Sequence, residues 1–182
     1  MKRCSWVHVE SDLYKKYHDE EWGVPKYNDD YLFELLILES FQAGLSWITV
    51  LKKRESFRKA FDNFDVNKIS KYDDAKINEL MNNQNIIRCK SKILAAINNA
   101  KIFISIQKEF GSFSAYIWGF TDNKIIKNTD DNIPVKTELS DKISIDLKKR
   151  GMKYTGSVIV YSYLQAIGIV NDHATGCFKY SQ

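Results

Sequence analysis

Within the apolar stretch 31–51, Tyr-Leu-Phe-Glu-Leu-Leu-Ile-Leu-Glu-Ser-Phe-Gln-Ala-Gly-Leu-Ser-Trp-Ile-Thr-Val-Leu, the carboxylate of Glu39 is out of place. Leu32, Leu35, Leu36 and Glu39 fall at i, i+3, i+4 and i+7, so on a helix the acid points where the leucines point. A buried carboxylate is costly unless something compensates it. The compensation is either an internal Lys or Arg, or a cationic or hydrogen-bonding ligand entering a pocket. Internal pairing is the default for a lone residue; here the neighbours favour a ligand. Trp6, Tyr14, Tyr17 and Trp22 crowd a polar, interrupted segment upstream, and aromatic rings beside an acid suit a flat guest.

A second set of residues has metal-binding chemistry. Cys4 and His18 lie near the start, and His173 and Cys177, spaced i, i+4, near the end; two thiolates and two imidazoles make a tetrahedral zinc set. Halves so far apart fit no zinc finger and imply a clasp between the termini. Four ligands would make the site structural, because catalytic zinc keeps one position open. The competing reading is four ordinary side chains, and His8 and Cys89 are available as substitutes.

The elements that must carry these groups read as helices, over 31–41, 47–61, 74–81, 92–108, 112–120, 140–151 and 156–170. Gly44 breaks the helix bearing Glu39, Ser46 is placed to cap the next one, and Gly151 and Gly168 stand at C-cap positions. Residues 158–161 pass for a buried strand but run on without a turn signal, and no alternating strand pair with a hairpin turn is present. An all-α fold is therefore expected. With 182 residues, two prolines and no low-complexity linker, the chain is expected to form a single domain over 1–182. No N-terminal apolar leader and no membrane-length apolar run is seen, and three widely spaced cysteines suit a reducing compartment, so a cytoplasmic protein is expected. The net charge is only +4, but Lys52-Lys53-Arg54 and Lys148-Lys149-Arg150 form compact basic runs at helix ends. Either alone is a solvated helix end; together they leave a nucleic-acid surface open.

Taken together, several motifs resemble one family: Arg-Cys-Ser-Trp at 3–6, Tyr-His-Asp-Glu-Glu-Trp-Gly-Val-Pro at 17–25, Leu-Glu-Ser-Phe-Gln-Ala-Gly-Leu-Ser-Trp at 38–47, Leu-Lys-Lys-Arg-Glu at 51–55 and Val-Asn-Asp-His at 170–173. The chain is similar over nearly its whole length to bacterial 3-methyladenine DNA glycosylase I. The resemblance implies an all-helical member of the helix-hairpin-helix glycosylase superfamily, clasped by one structural zinc on Cys4, His18, His173 and Cys177. It assigns Glu39, Tyr17 and Trp47 to the pocket for the excised base, with Trp6 and Trp22 as its walls. The corner Gly44-Leu45 would probe the gap left by an extruded nucleotide; the plainer reading makes Leu45 a staple for the following helix. The hairpin would be residues 151–156, where Gly151, Gly156 and the next helix N-terminus would hold a DNA phosphate. Phe41 and Ser5 stand where the family more often has Gln and Gly. The superfamily commonly places a catalytic Asp beyond the hairpin; the nearest acid here, Asp172, adjoins His173 and is read as supporting that ligand or capping.

The implied reaction suits these residues. A methyl group on N3 leaves the attached adenine cationic, so cleavage neutralises the leaving group and needs little acid assistance. Water would attack C1′ of an oxocarbenium-like sugar, leaving an abasic site. No lysine is placed as a Schiff-base nucleophile, so strand cleavage is not expected. The implied partner is double-stranded alkylated DNA, the implied product free 3-methyladenine, and the enzyme a monomer. Two alternatives compete: a non-catalytic zinc-clasped module that binds damaged DNA, and a zinc hydrolase of small molecules.

Overall fold

The computed structural model describes residues 1–7, 10–130 and 132–181. Among them the chain forms α1 (Asp12–Glu20), α2 (Asp29–Gln42), α3 (Trp47–Ala60), α4 (Val66–Ile69), α5 (Asp74–Asn82), α6 (Lys90–Phe110), α7 (Phe113–Gly119), α8 (Glu138–Lys149) and α9 (Ser157–Ala166). A 3-10 turn, Asp62–Phe64, follows α3, and the two-residue strands β1 (Ile126–Lys127) and β2 (Val170–Asn171) pair in parallel. The fold is compact and helical as expected, with this strand pair as the exception. Two residues are too few for alternation to show in sequence. Helix α1 was also not expected; it is polar, Ser11 caps it, and only Tyr17 and His18 are buried on it.

Side-chain caps start many of the helices. Asn28 accepts from the Tyr31 amide at 3.0 Å to open α2, whose first turn carries Asp29 and Asp30, favourable at the positive end of the helix dipole. Thr137 and Ser140 form a reciprocal capping box on α8.

Helix α2 is the axle of the bundle, packed against α3, α6, α7 and α9. Every residue from Leu32 to Phe41 is buried, which corrects the one-face argument for Glu39: the helix has no exposed face along this stretch. Phe41 turns into the core, its ring 4.8 Å from Phe57 and 5.9 Å from Phe61, away from the site described below. A smaller cluster, Cys4, Val7, Tyr17, Trp22, Leu51 and Cys177, gathers the chain ends, with Trp6 and Trp47 packed on it.

Two backbone features fix how these parts meet. The end of α9 lies against segment 23–26, with Gly23 N–H donating to Gln165 O and Lys26 N–H to Ile167 O, each at 2.9 Å. Gly168 makes this possible: its φ is +76°, and a Cβ there would lie 2.3 Å from the Val24 carbonyl carbon. The turn after α8 is a Schellman motif, with Met152 N–H on Leu147 O, Gly151 N–H on Lys148 O, and Gly151 at φ +94°. Asn99 of α6 pins the same turn, its amide donating to Lys153 O and accepting from Lys153 N–H at 2.8 and 2.9 Å.

Candidate active site

Glu39 sits near the end of α2, 3 % exposed. Among the described residues no hydrogen bond or ion pair engages its carboxylate, and burial alone pushes its pKa up to about 8. The internal pairing that threatened this reading belongs to Glu34, an acid on the same helix that the sequence reading passed over. Arg54 Nε and Arg58 Nη2 donate to Glu34 Oε1 at 2.5 and 2.8 Å, and Arg54 Nη1 reaches Glu21 at 2.6 Å. Arg54 is therefore buried structure, which corrects its place in the first basic run. Arg150 is likewise paired, with Glu109 and Asp146, leaving Lys148 and Lys149 as the exposed part of the second.

Glu39 opens into a cavity of about 260 Å³ whose walls include Trp6, Tyr14, Tyr17, Trp22 and Trp47. Trp6 meets Trp22 edge-on at 4.9 Å, and Tyr17 meets Trp47 at 5.4 Å. Tyr17 is buried, and burial together with the nearby Glu39 holds its hydroxyl pKa well above the usual value. The remaining lining is Gln42, Ile133, Ser162 and Gln165, which sequence reasoning missed. The signal was there for two of them: Ser162 and Gln165 are polar at i, i+3 in the otherwise apolar α9, the same anomaly that marks Glu39. A wider groove of about 670 Å³ lies beyond Tyr17, but its Arg54, Arg58 and Glu21 are already paired with one another or with Glu34. Its charges are already paired, whereas the smaller cavity holds an acid with no partner among the described residues.

At the mouth of the chain corner after α2, Gly44 has φ +81° and open space around it, and Leu45 is 40 % exposed. Gln42 braces the corner, accepting from Leu45 N–H at 2.7 Å and donating from Nε2 to Leu45 O at 2.9 Å. Lys92 braces it from α6 through Phe41 O and Ala43 O at 2.8 and 2.6 Å. Leu45 is exposed rather than part of either buried hydrophobic cluster, which leaves its side chain open to an incoming duplex. Ser46 opens α3 but makes no backbone cap; its hydroxyl bonds Thr49 Oγ1 at 2.7 Å. In the turn 151–156 the amides of Gly151, Met152 and Lys153 are consumed internally. Among the described residues none of these bonds engages the amides of Tyr154, Thr155 and Gly156, and Gly156 is the N-cap of α9.

Cys4, His18, His173 and Cys177 are all buried, with ligand atoms within 4.8 Å of one another. Cys4 Sγ is 3.6 Å from His173 Nδ1, and Cys177 Sγ is 3.4 Å from His18 Nε2 and 3.7 Å from His173 Nδ1. A tetrahedral ion bonded to sulfur and nitrogen at ordinary lengths has S–N edges of about 3.5 Å, so the group can hold a metal ion. The supports fit as well. His18 Nδ1 faces Asp19 at 2.7 Å, Arg3 clamps that Asp19 at 2.6 and 2.8 Å, and His173 Nε2 faces Trp22 O at 3.2 Å. Backbone amides of Ala174 and Lys179 donate to the two sulfurs at 3.4 and 3.5 Å. Of the substitutes, Cys89 lies apart at the N-cap of α6, and His8 is outside the described residues. Among the described residues no hydrogen bond joins the Asp172 carboxylate to His173: its Oδ2 accepts from Tyr161 and Gln165, and it is Asn171 that accepts from the His173 amide at 3.1 Å. The clasp and the cavity share walls, for Trp22 packs edge-on to His173 at 4.7 Å and Trp6 to His18 at 5.4 Å.

Residues 6–180 match the family model described as Methyladenine glycosylase. The chain is 44 % identical over 178 residues to DNA-3-methyladenine glycosylase of Haemophilus influenzae, covering 96 % of each. The chain belongs to the methyladenine glycosylase family. It is by that membership a hydrolase acting on N-glycosyl bonds. A crystal structure of 3-methyladenine DNA glycosylase I superposes with a TM-score of 0.95 at 44 % identity, covering 98 % of this chain and 100 % of that one. A variant of a 3-methyladenine DNA glycosylase I in complex with 3-methyladenine superposes with a TM-score of 0.93 at 34 % identity, covering 100 % and 99 %. In this methyladenine glycosylase fold, Glu39, Tyr17, Trp47, Trp6 and Trp22 meet at one cavity although they come from four separate segments.

Proposed function

We propose that this chain excises 3-methyladenine from alkylated double-stranded DNA by extruding the nucleotide and hydrolysing its N-glycosidic bond, releasing the free base and leaving an abasic site. The observation that carries the reading is a buried Glu39, without a partner among the described residues, facing a ring-lined cavity of about 260 Å³. Such a cavity favours a flat, positively charged guest, and a nucleotide methylated at N3 of adenine is one. Extrusion costs a few kcal/mol, less for damaged bases. Stacking on Tyr17 and Trp47 returns ~1–3 kcal/mol per base, and the cation over aromatic faces adds ~0.5–2 kcal/mol. The Glu39 carboxyl, neutral in the empty site at neutral pH, becomes a carboxylate against the cation and accepts from the exocyclic amino group. Unmodified adenine, uncharged and a poor leaving group, gains less on both counts.

Leu45 would fill the gap in the duplex, and the turn at Gly151 and Gly156, through its free amides and the α9 N-terminus, would hold a phosphate. The Cys4, His18, His173 and Cys177 group would hold one structural zinc per chain; when bound it supplies no open coordination position and hence no chemistry beyond fixing the termini. Residues 1–182 would act as one domain and one monomer, without a lysine nucleophile and so without strand cleavage. Among the described residues no helix is long and apolar enough to cross a membrane; the cytoplasm is proposed as the place of action because the substrate is DNA. Membership of a hydrolase family weighs against the non-catalytic damage-binding alternative. Incubation with dimethyl-sulfate-treated duplex, followed by chromatography of released bases and gel analysis of the strands, tests the reading. Free 3-methyladenine with intact strands is expected; tight DNA binding with no released base would defeat it.

A further inference from the structure

The hydrogen-bonding groups that line the cavity are one-sided. Glu39 and Gln165 both line it, and among the described residues no hydrogen bond engages the Glu39 carboxylate. Gln165 Nε2 donates to Asp172 Oδ2 at 2.6 Å, and the same oxygen takes the Tyr161 hydroxyl proton at 2.6 Å. Tyr161 and Gln165 are one helical turn apart on α9, and Asp172 follows β2, so the amide is clamped from behind the cavity wall. An oxygen already receiving a hydroxyl proton and an amide proton settles which end of the Gln165 amide it meets. A planar amide held by its nitrogen turns its carbonyl oxygen the other way. Among the described residues no donor reaches that oxygen, and it is not one of the sealed polar atoms, which are Trp6 Nε1, Trp47 Nε1 and Asp172 Oδ1.

We infer that Gln165 is a specificity-determining residue that selects a 6-amino over a 6-oxo purine, with Asp172 as the residue that positions it. This rests on the reading that the cavity receives a methylated purine. An exocyclic amine brings two N–H bonds, one for each of the two acceptors, Glu39 and Gln165. A 6-oxo group brings lone pairs instead, and against a carbonyl oxygen that cannot turn these repel. A site built to take a donor rejects the analogue lacking it, because its own polar group is left unpaired. The wild type should therefore release 3-methyladenine much faster than 3-methylguanine.

The test compares wild type, Gln165→Met and Asp172→Ala on dimethyl-sulfate-treated DNA under single-turnover conditions, with both free bases quantified and thermal melts as the folding control. The wild type is expected to favour 3-methyladenine by at least about tenfold. Gln165→Met should slow 3-methyladenine release about tenfold while leaving 3-methylguanine release unchanged or faster, so the ratio of rates collapses. Asp172→Ala keeps Gln165 but frees its amide to turn, and should lower the ratio by roughly threefold or more. If either variant fails to fold, the other answers the question. A purely structural role would slow both bases together; an unchanged ratio in the folded variants overturns the assignment, as does a wild-type ratio near one. A wild type that releases neither base would instead defeat the proposed function.

Discussion

Replacing Glu39 by Gln should change stability in a way that depends on pH, and the slope can be worked out. Burial holds the Glu39 carboxyl at about 8 in the folded chain against an ordinary 4.5. Below the ordinary value both states carry the proton and the group is neutral in both. Above it the unfolded chain releases the proton while the folded chain keeps it, so the folded state binds more protons and stability falls as pH rises. The stability fully present below the ordinary value is lost through the window up to about 8, by ~1 kcal/mol at pH 5, ~3 at pH 7 and ~5 at pH 9. Gln does not titrate. The stability of Glu39→Gln minus that of wild type should therefore climb by ~4 kcal/mol from pH 5 to pH 9, whatever constant offset its packing adds. Urea denaturation of both proteins at a series of pH values measures this, and all shared titrations cancel in the difference. A difference flat with pH would refute the reasoning, since it would mean the acid is already compensated. Meanwhile the variant should lose excision of the cationic lesion.

Two further outcomes follow from the same geometry. Protein purified without chelator should carry one zinc per chain, and Cys177→Ser should lose it and lower the melting temperature by ~10 °C or more; it should also weaken binding of free 3-methyladenine, because Trp6 and Trp22 lean on His18 and His173. A metal-free wild type with an unchanged melting temperature would contradict the clasp. Leu45→Ala, at a position 40 % exposed, should leave stability within ~0.5 kcal/mol yet slow release from duplex DNA ~10-fold, with free-base binding untouched. Equal behaviour of Leu45→Ala and wild type on duplex would remove the probe role.

The sequence by itself determined seven of the helices to within a few residues, the corner at Gly44, the glycines at 151 and 168 that follow the ends of α8 and α9, and the types of group that do chemistry. Each of these is local: periodicity, a glycine where φ must be positive, or a residue type at odds with its neighbours. Helix α1 escaped because it is polar, and the four-residue α4 and the β1–β2 pair because they are too short to show a period. Tertiary structure alone decided which acid is paired. Glu34 and Glu39 look alike along α2, but Arg54 and Arg58 of α3 approach only the former. Likewise Gln165 and Ser162 reach the cavity because Gly168 lets the end of α9 press on residues 23–26. Partner choice for a buried charge depends on which distant segments come within hydrogen-bonding range, and that distance is set by packing of the whole chain, which no single stretch of sequence encodes.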